Sequence, residues 1–284
     1  MAKISVETEI HEAMIRLTAA EKRAARALIA NYPALGLAPV AEFAEAAETS
    51  PASVLRFIAQ LGIESYPDFQ RRLREELDER IKSPLQKAAA GKHQGSREDF
   101  LARYASQIAS NLQETVSRLP ASEFSSVCAQ IANTRGALHL AGGRFTAPIA
   151  DYMAAHLRIV RPGVRTLEAR RASRSDELLD VRPGDAGVLF DIRRYDPEML
   201  SLAQALKMRR ARVILITDNW ISPVSRYAKY VLPCSVDVEG AWDSSVSLFA
   251  IVEAIIARVT ELNWTEAETR IAEKEILDGR LPGE

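Results

Sequence analysis

PVAEFAEAAETSPASVLRFIAQLGIESYPDF, residues 39–69, decides how the first part of the chain is read. Its first half places Val40, Phe43, Ala44 and Ala47 on one face at helical spacing, which predicts a short amphipathic helix. A break follows at Glu48-Thr49. Ser50 and Pro51 then open a second helix, because Ser is a strong N-cap and Pro in the first turn lacks only an N–H that has no partner there anyway. Val54, Phe57, Ile58 and Leu61 form the inward stripe of this second helix, and Gly62 ends it. Two short helices joined by a tight turn, the second opening on small polar residues, is a helix-turn-helix layout in which the second helix lies in the DNA major groove. With Val54, Phe57 and Leu61 directed to a core, Ser50, Ala52, Ser53, Arg56 and Gln60 are the expected DNA-facing residues. A helical pair inside a bundle gives the same pattern, and Glu48 stands where such turns often carry glycine. On pattern alone both readings stand.

Charge does not decide between them. The 284 residues carry a formal net charge of −1, and residues 1–83 hold 11 Lys/Arg against 13 Asp/Glu, a difference of −2. DNA contact therefore has to come from local clusters. Lys22 and Arg23, with Arg26, are one candidate, and Arg56 is another. Arg71, Arg72 and Arg74 are read instead as a solvated helix face paired with Glu75, Glu76, Asp78 and Glu79.

Around the opening stretch, residues 4–17 predict a helix with Ile10, Met14 and Leu17 on one face. Thr18-Ala-Ala-Glu21 fits a capping box for a helix that runs to Tyr32 and stops at Pro33. Residues 68–81 predict a long charged helix. KSPLQKAAAGKHQGSR, residues 82–97, reads as a linker, with His93 as a solvated linker residue. The expected organisation is an all-α helix-turn-helix domain over 1–81, the linker over 82–97, and a second domain over 98–284.

In the second domain two helices are expected, near 98–118 and 120–133. Short apolar runs then alternate with amphipathic helices. The runs are 137–141, 164–167, 187–192, 213–217 and 230–233, and the longest helices between them are 147–160, 197–209 and 222–228. Continuous apolar strands separated by helices predict a five-stranded, doubly wound parallel sheet. Residues 244–262 predict a last apolar helix, and the charged stretch after Trp264 a C-terminal helix and tail. Hydrophobic content of 47% and charged content of 26% are ordinary for a globular protein. No apolar run approaches the ~20 residues of a membrane helix, and the N-terminus lacks the apolar core of a signal peptide, so a cytoplasmic location without a membrane partner is expected. Cys128 and Cys234 propose neither a disulfide framework nor a metal site, and no cofactor is expected.

Ligands of doubly wound sheets bind beyond the carboxyl ends of the strands. Two loops qualify. In AGGRFTAP, residues 141–148, Gly142 and Gly143 allow a tight turn and Thr146 is placed to cap the next helix. In FDIRRYDPE, residues 190–198, Asp196 is a natural N-cap before Pro197. Arg144, Arg193 and Arg194 converge there, which points to an anionic ligand. Alternatively, these arginines pair with Asp191, Asp196 or a partner subunit. In ITDNWISP, Asp218 and Ser222 either line the same mouth or turn the chain. His139 and His156 have no nucleophile nearby in sequence and read as structural.

Taken together, LTAAEKRAARALIANYP, VAEFAEAAETSPASVLRFIAQLG, YPDFQRRLREEL and ITDNWISPVSRYA resemble, in order and spacing, RpiR-type bacterial transcription regulators, which join an N-terminal helix-turn-helix to a C-terminal sugar isomerase (SIS) domain. The resemblance spans nearly the whole chain and implies a regulator rather than an enzyme. It also implies a double-stranded DNA operator, a small anionic metabolite as effector (a sugar phosphate or sugar acid), and a homodimer or homotetramer. The candidate effector residues, read from the loops, are Gly142, Gly143, Arg144, Thr146, Asp191, Arg193, Arg194, Asp196 and Ser222. The loops depart from the family. Its Gly-x-Gly-x-Ser is here Gly142, Arg144 and Thr146. Its Ser-x-Ser-Gly-x-Thr-x-Glu is here Asp191, Arg193, Arg194, Asp196 and Glu198, of which only the Glu matches. A carboxylate at Asp196 occupies the helix N-terminus where phosphate would sit. A second domain that only dimerises the reader, or an isomerase-type enzyme, are the other readings.

Overall fold

The computed structural model of the protein describes residues 5–81, 83–90, 99–167 and 171–279. The chain divides into two compact units, one built on residues 1–90 and the other on residues 91–218 and 222–284.

The first unit is all-α: α1 (Val6–Ala13), α2 (Ala19–Ala30), α3 (Ala34–Leu37), α4 (Val40–Ala46), α5 (Pro51–Gln60), α6 (Tyr66–Ile81) and α7 (Pro84–Ala90). The capping box at α2 is formed: Thr18 Oγ1 accepts from the Glu21 N–H at 3.4 Å, and Glu21 Oε2 accepts from the Thr18 N–H at 2.8 Å. The helix ends at Ala30, two residues before the expected Tyr32, and α3 follows as a turn that sequence periodicity is too short to reveal. Gly36 in α3 is closely packed: a Cβ there would stand 2.4 Å from Leu73 Cδ1 of α6, and that side chain would have to shift. The core joins Ile10, Leu28, Phe43, Val54, Phe57, Ile58, Phe69 and Leu73, all at 0–1% exposure. Each such side chain contributes about 1.5–3 kcal/mol of burial, and together they cover the stripe expected on α5.

The charged α6 differs from expectation in its pairing. Arg71 does pair along the helix, with Asp68 at 2.7 Å and Glu75 at 3.3 Å, both exposed and worth little. Arg72 instead reaches Glu9 on α1 at 2.8 Å. Glu76 turns inward: it is buried, accepts the Val6 N–H at 2.6 Å, and accepts a hydrogen bond from the Tyr32 hydroxyl. It thereby satisfies an otherwise open amide at the start of α1. The stretch read as a linker contains the helix α7; Lys82 and residues 91–97, His93 among them, lie outside the described residues.

The second unit is α/β. It contains α8 (Phe100–Arg118), α9 (Ala121–Ala132), β1 (Leu138–Gly142), α10 (Ala147–Val160), β2 (Val164–Thr166), α11 (Arg171–Leu179), β3 (Ala186–Asp191), α12 (Pro197–Met208), β4 (Arg212–Asp218), β5 (Tyr230–Cys234), α13 (Val246–Leu262) and α14 (Trp264–Leu277). All five strands are parallel, in the order β2-β1-β3-β4-β5. The expected helix over 222–228 is a short 3-10 helix, Pro223–Tyr227, and α11 is an addition to the expected elements. Burial of every residue of β1 and β3 shows why these strands are continuous apolar runs: helices cover both faces. Below the sheet's amino end, His139 Nε2 lies 3.0 Å from Asp185 Oδ2, which makes this histidine structural as read. Arg161 donates to the carbonyls of Ile131, Thr134 and Gly136 at 2.6–2.9 Å, closing the end of α9. Among the described residues no helix is long and apolar enough to cross a membrane, and no His/Cys/Asp/Glu group could hold a metal ion.

Chain order decides where this sheet opens. From β1 the chain moves to β2 on one side, and from β3 to β4 on the other. The loops after β1 and β3 therefore diverge at the switch point between these strands.

Candidate functional site

The first unit presents α4, a turn, and α5. Ser50 caps α5, its Oγ accepting from the Ser53 N–H at 3.2 Å, with Pro51 in the first turn. Glu48 adopts φ +49°, in the left-handed region, and Gly62 closes α5 at φ +73°. Of the residues expected on the outer face, Ser50, Ala52, Arg56 and Gln60 are exposed. Ser53 is not: it is 5% exposed, lies within hydrogen-bond distance of Ser50 Oγ at 3.0 Å, and accepts from Arg56 Nη2 at 2.9 Å. Its place at the third helical position turns it towards the cap, so it holds the Arg56 guanidinium rather than facing outward. Leu55 is exposed at 45% and joins the outer face unexpectedly. Arg23 is exposed and donates from Nε to the Glu48 carbonyl at 3.1 Å, placing it beside the turn; Lys22 is half-buried.

The second unit presents a pocket of about 310 Å³ at the switch point, lined by residues 143–146 after β1 and 191–197 after β3. Gly142 is required where it stands. Its Cβ would lie 2.4 Å from Thr146 C and 2.6 Å from Ala147 N, so the start of α10 rests on it. A Cβ on Gly143 would find its nearest neighbour, Asp196 Cβ, at 3.6 Å, which is ordinary contact. Thr146 is buried and its hydroxyl donates to the Phe190 carbonyl at 2.8 Å. The expected side-chain cap on α10 is therefore not made. The register that sets Gly142 beside Phe190 brings that carbonyl within reach.

Asp191 ends β3 and is buried. It accepts the Asp196 N–H at 3.1 Å on one oxygen and the Ser222 hydroxyl on the other. Burial pushes its carboxyl up to about 7; the hydrogen bonds from Ser222 and the Asp196 N–H pull the other way, and the charges of Asp218 and Asp196 add to the rise. Asp196 caps α12, its Oδ1 accepting from the Glu198 N–H at 2.9 Å. Asp218 accepts the Arg193 N–H at 2.5 Å and the Tyr195 hydroxyl at 2.7 Å.

The three arginines separate. The Arg193 side chain is 4% exposed and forms a two-pronged pair with Asp243, plus a contact to Asp237 at 2.9 Å. It is ion-paired, as the alternative reading held, and Asp243 and Asp237 are its partners. Burial alone would lower its affinity for the proton; the two aspartates more than offset this. Arg144 and Arg194 are exposed and make no hydrogen bond or ion pair among the described residues. Arg144 lies over the Phe145 ring at 5.3 Å, and Phe145 is tilted against Trp242 at 5.6 Å. Asp237 and Asp243 are not legible in the sequence because they lie 44 and 50 residues beyond Arg193, and neither they nor Trp242 have a local pattern to mark them. Tyr195 and Phe145 were within the quoted loops, and an aromatic residue between arginines was the available signal. The Cys128 and Cys234 thiols are pushed up by burial, Cys128 to about 11, so neither is a ready nucleophile.

Residues 130–258 match the SIS domain family. The sugar isomerase domain of an RpiR transcription factor from Sphaerobacter thermophilus has the same fold over 62% of this chain and 98% of its own, with a TM-score of 0.59 at 19% identity. The Vibrio vulnificus NanR protein, solved in complex with ManNAc-6P, matches over 95% of this chain and 97% of its own, with a TM-score of 0.54 at 16% identity. An Escherichia coli CFT073 protein, solved as a complex, matches over 59% of this chain and 93% of its own, with a TM-score of 0.50 at 17% identity. A search of curated protein sequences finds no match. These likenesses establish the fold: the second unit is a SIS domain, and the NanR structure shares the fold over nearly the whole chain.

Proposed function

We propose that this chain, a SIS-domain protein with the fold of RpiR-type regulators, is a DNA-binding transcription regulator controlled by a small anionic metabolite. In this reading residues 1–81 bind double-stranded DNA, residues 82–97 link, and residues 98–284 sense the effector and assemble a homodimer or homotetramer. The observation that carries it is that one chain holds both a capped helix with an exposed Ala52, Arg56 and Gln60 face and a separate loop pocket whose Arg144 and Arg194 guanidiniums have no polar partner among the described residues. NanR, whose fold covers nearly the whole chain, is a protein solved with a phosphorylated sugar derivative, which supports a carbohydrate-type effector. An effector works only through different affinities for DNA-competent and DNA-incompetent states.

An isomerase needs a positioned acid–base group. Of the two carboxylates lining the pocket, Asp191 has both oxygens hydrogen-bonded and Asp196 is engaged through one oxygen as the N-cap of α12. A purely dimerising second domain is favoured by the buried Arg193 pairs, but Arg144 and Arg194 remain at an open pocket. The test is enrichment of duplexes from a randomised pool by the purified full-length chain. A motif with two symmetric half-sites is the expected outcome, with retention that changes on adding sugar phosphates or sugar acids. A pool that stays random contradicts the proposal.

A further inference from the structure

We propose that the pocket after β1 and β3 takes a polyhydroxylated monocarboxylate, a sugar acid, in preference to the phosphate ester of the same sugar. This rests on the reading of that pocket as the effector site.

Phosphate held in such loops uses backbone N–H groups at helix starts. Here those groups are occupied. At α12 the Asp196 N–H donates to Asp191 Oδ1, Pro197 has none, the Glu198 N–H donates to Asp196 Oδ1, and the Met199 N–H donates to the Asp196 carbonyl at 2.9 Å. At α10 the Ala147 N–H donates to the Gly143 carbonyl at 2.8 Å, Pro148 has none, and the Ile149 N–H donates to the Thr146 carbonyl at 3.0 Å. The nearby hydroxyls are used as well, Thr146 on Phe190 and Ser222 on Asp191. An anion approaching the first turns of these helices finds their amides taken and faces two aspartates.

What remains is of two kinds. Asp196 Oδ2 makes no hydrogen bond among the described residues and points towards Gly143, across the pocket. It is an acceptor suited to a ligand hydroxyl. The Arg144 and Arg194 guanidiniums have no polar partner among the described residues, and they suit an anionic group. The third arginine is committed to Asp237 and Asp243. Leaving out Asp191, which burial keeps largely protonated below about pH 7, the cluster still holds Arg144, Arg193 and Arg194 against Asp196, Asp218, Asp237 and Asp243, an excess of acid. A phosphate monoester carries close to two negative charges at neutral pH, a carboxylate one. The acid excess penalises the dianion more.

The experiment is calorimetric titration of the full-length chain with matched probes: D-gluconate against glucose 6-phosphate, D-galactonate against galactose 6-phosphate, and inorganic phosphate alone. It is repeated on Asp196→Asn, which keeps the N-cap because Asn caps as well as Asp. The expected result is tighter binding of at least one acid than of its phosphate partner, with no binding of inorganic phosphate. In Asp196→Asn the acid-to-phosphate preference falls about tenfold, as removal of a neighbouring charge implies. Phosphate esters binding the wild type as tightly as the acids would overturn this inference and leave the effector reading intact. If no probe of either class binds the wild type or the variant, both fail.

Discussion

The guanidinium of Arg193 closes on the carboxylate of Asp243, Nη2 to Oδ1 at 2.6 Å and Nε to Oδ2 at 3.1 Å. This pair joins the loop after β3 to the segment after β5, fifty residues later in the chain. Removal of one partner from a buried pair leaves the other charge with poor compensation. Arg193→Ala is expected to destabilise the protein by about 3 kcal/mol, read as a lower urea midpoint. An unchanged midpoint means the pair is a surface contact in energetic terms.

Asp191 gives a pH signature. Its native carboxyl stands at about 7, against about 3.9 in an unfolded chain. Between those values the native state holds a proton that the unfolded state has released, so the contribution of this group to stability falls as pH rises through the window and is flat above it. Asp191→Asn removes that slope. The stability of the variant relative to wild type is expected to grow from pH 4 to pH 7 and then level off. A difference that is constant across that range contradicts the assignment.

Two residues with positive φ flank α5 and make opposite forecasts. Glu48, at φ +49°, carries the strain a side chain meets in the left-handed region, whereas Gly62, at φ +73°, avoids it. Glu48→Gly is expected to stabilise by about 0.5–1 kcal/mol, the strain relief exceeding the added freedom of the unfolded chain. The bond from Arg23 goes to the Glu48 carbonyl and survives the change. Gly62→Ala is expected to cost about 1 kcal/mol. Thermal unfolding of both variants checks the pair, and a destabilised Glu48→Gly sinks the argument.

The sequence carried most of the architecture because local signals coincide there. Thr18 with Glu21, Ser50 with Pro51, and Gly62 each act within one helical turn, and the apolar runs of β1, β3 and β4 are buried on both faces. Glu48, standing where such turns often carry glycine, marks in the sequence the position that adopts positive φ. What could not be read depends on distance. Ser53 faces inward because the cap geometry and Arg56 draw it there, which a helical projection misplaces by a small angle. The fate of Arg193 depends on Asp237 and Asp243, brought close only by the sheet. Thr146 sits where a cap is expected, yet a carbonyl of the neighbouring strand claims its hydroxyl.

DNA recognition by α5 is the central claim, and fluorescence anisotropy at about 150 mM salt tests it most directly, because non-specific phosphate attraction is screened there. The full-length chain is titrated with a duplex enriched from the randomised pool and with a scrambled duplex of equal composition. The account predicts at least about a thousandfold preference for the enriched duplex. It also predicts that Arg56→Ala weakens that complex by about 1–3 kcal/mol while leaving scrambled-duplex binding nearly unchanged. Equal affinity for both duplexes, or an Arg56→Ala variant as selective as the wild type, contradicts it.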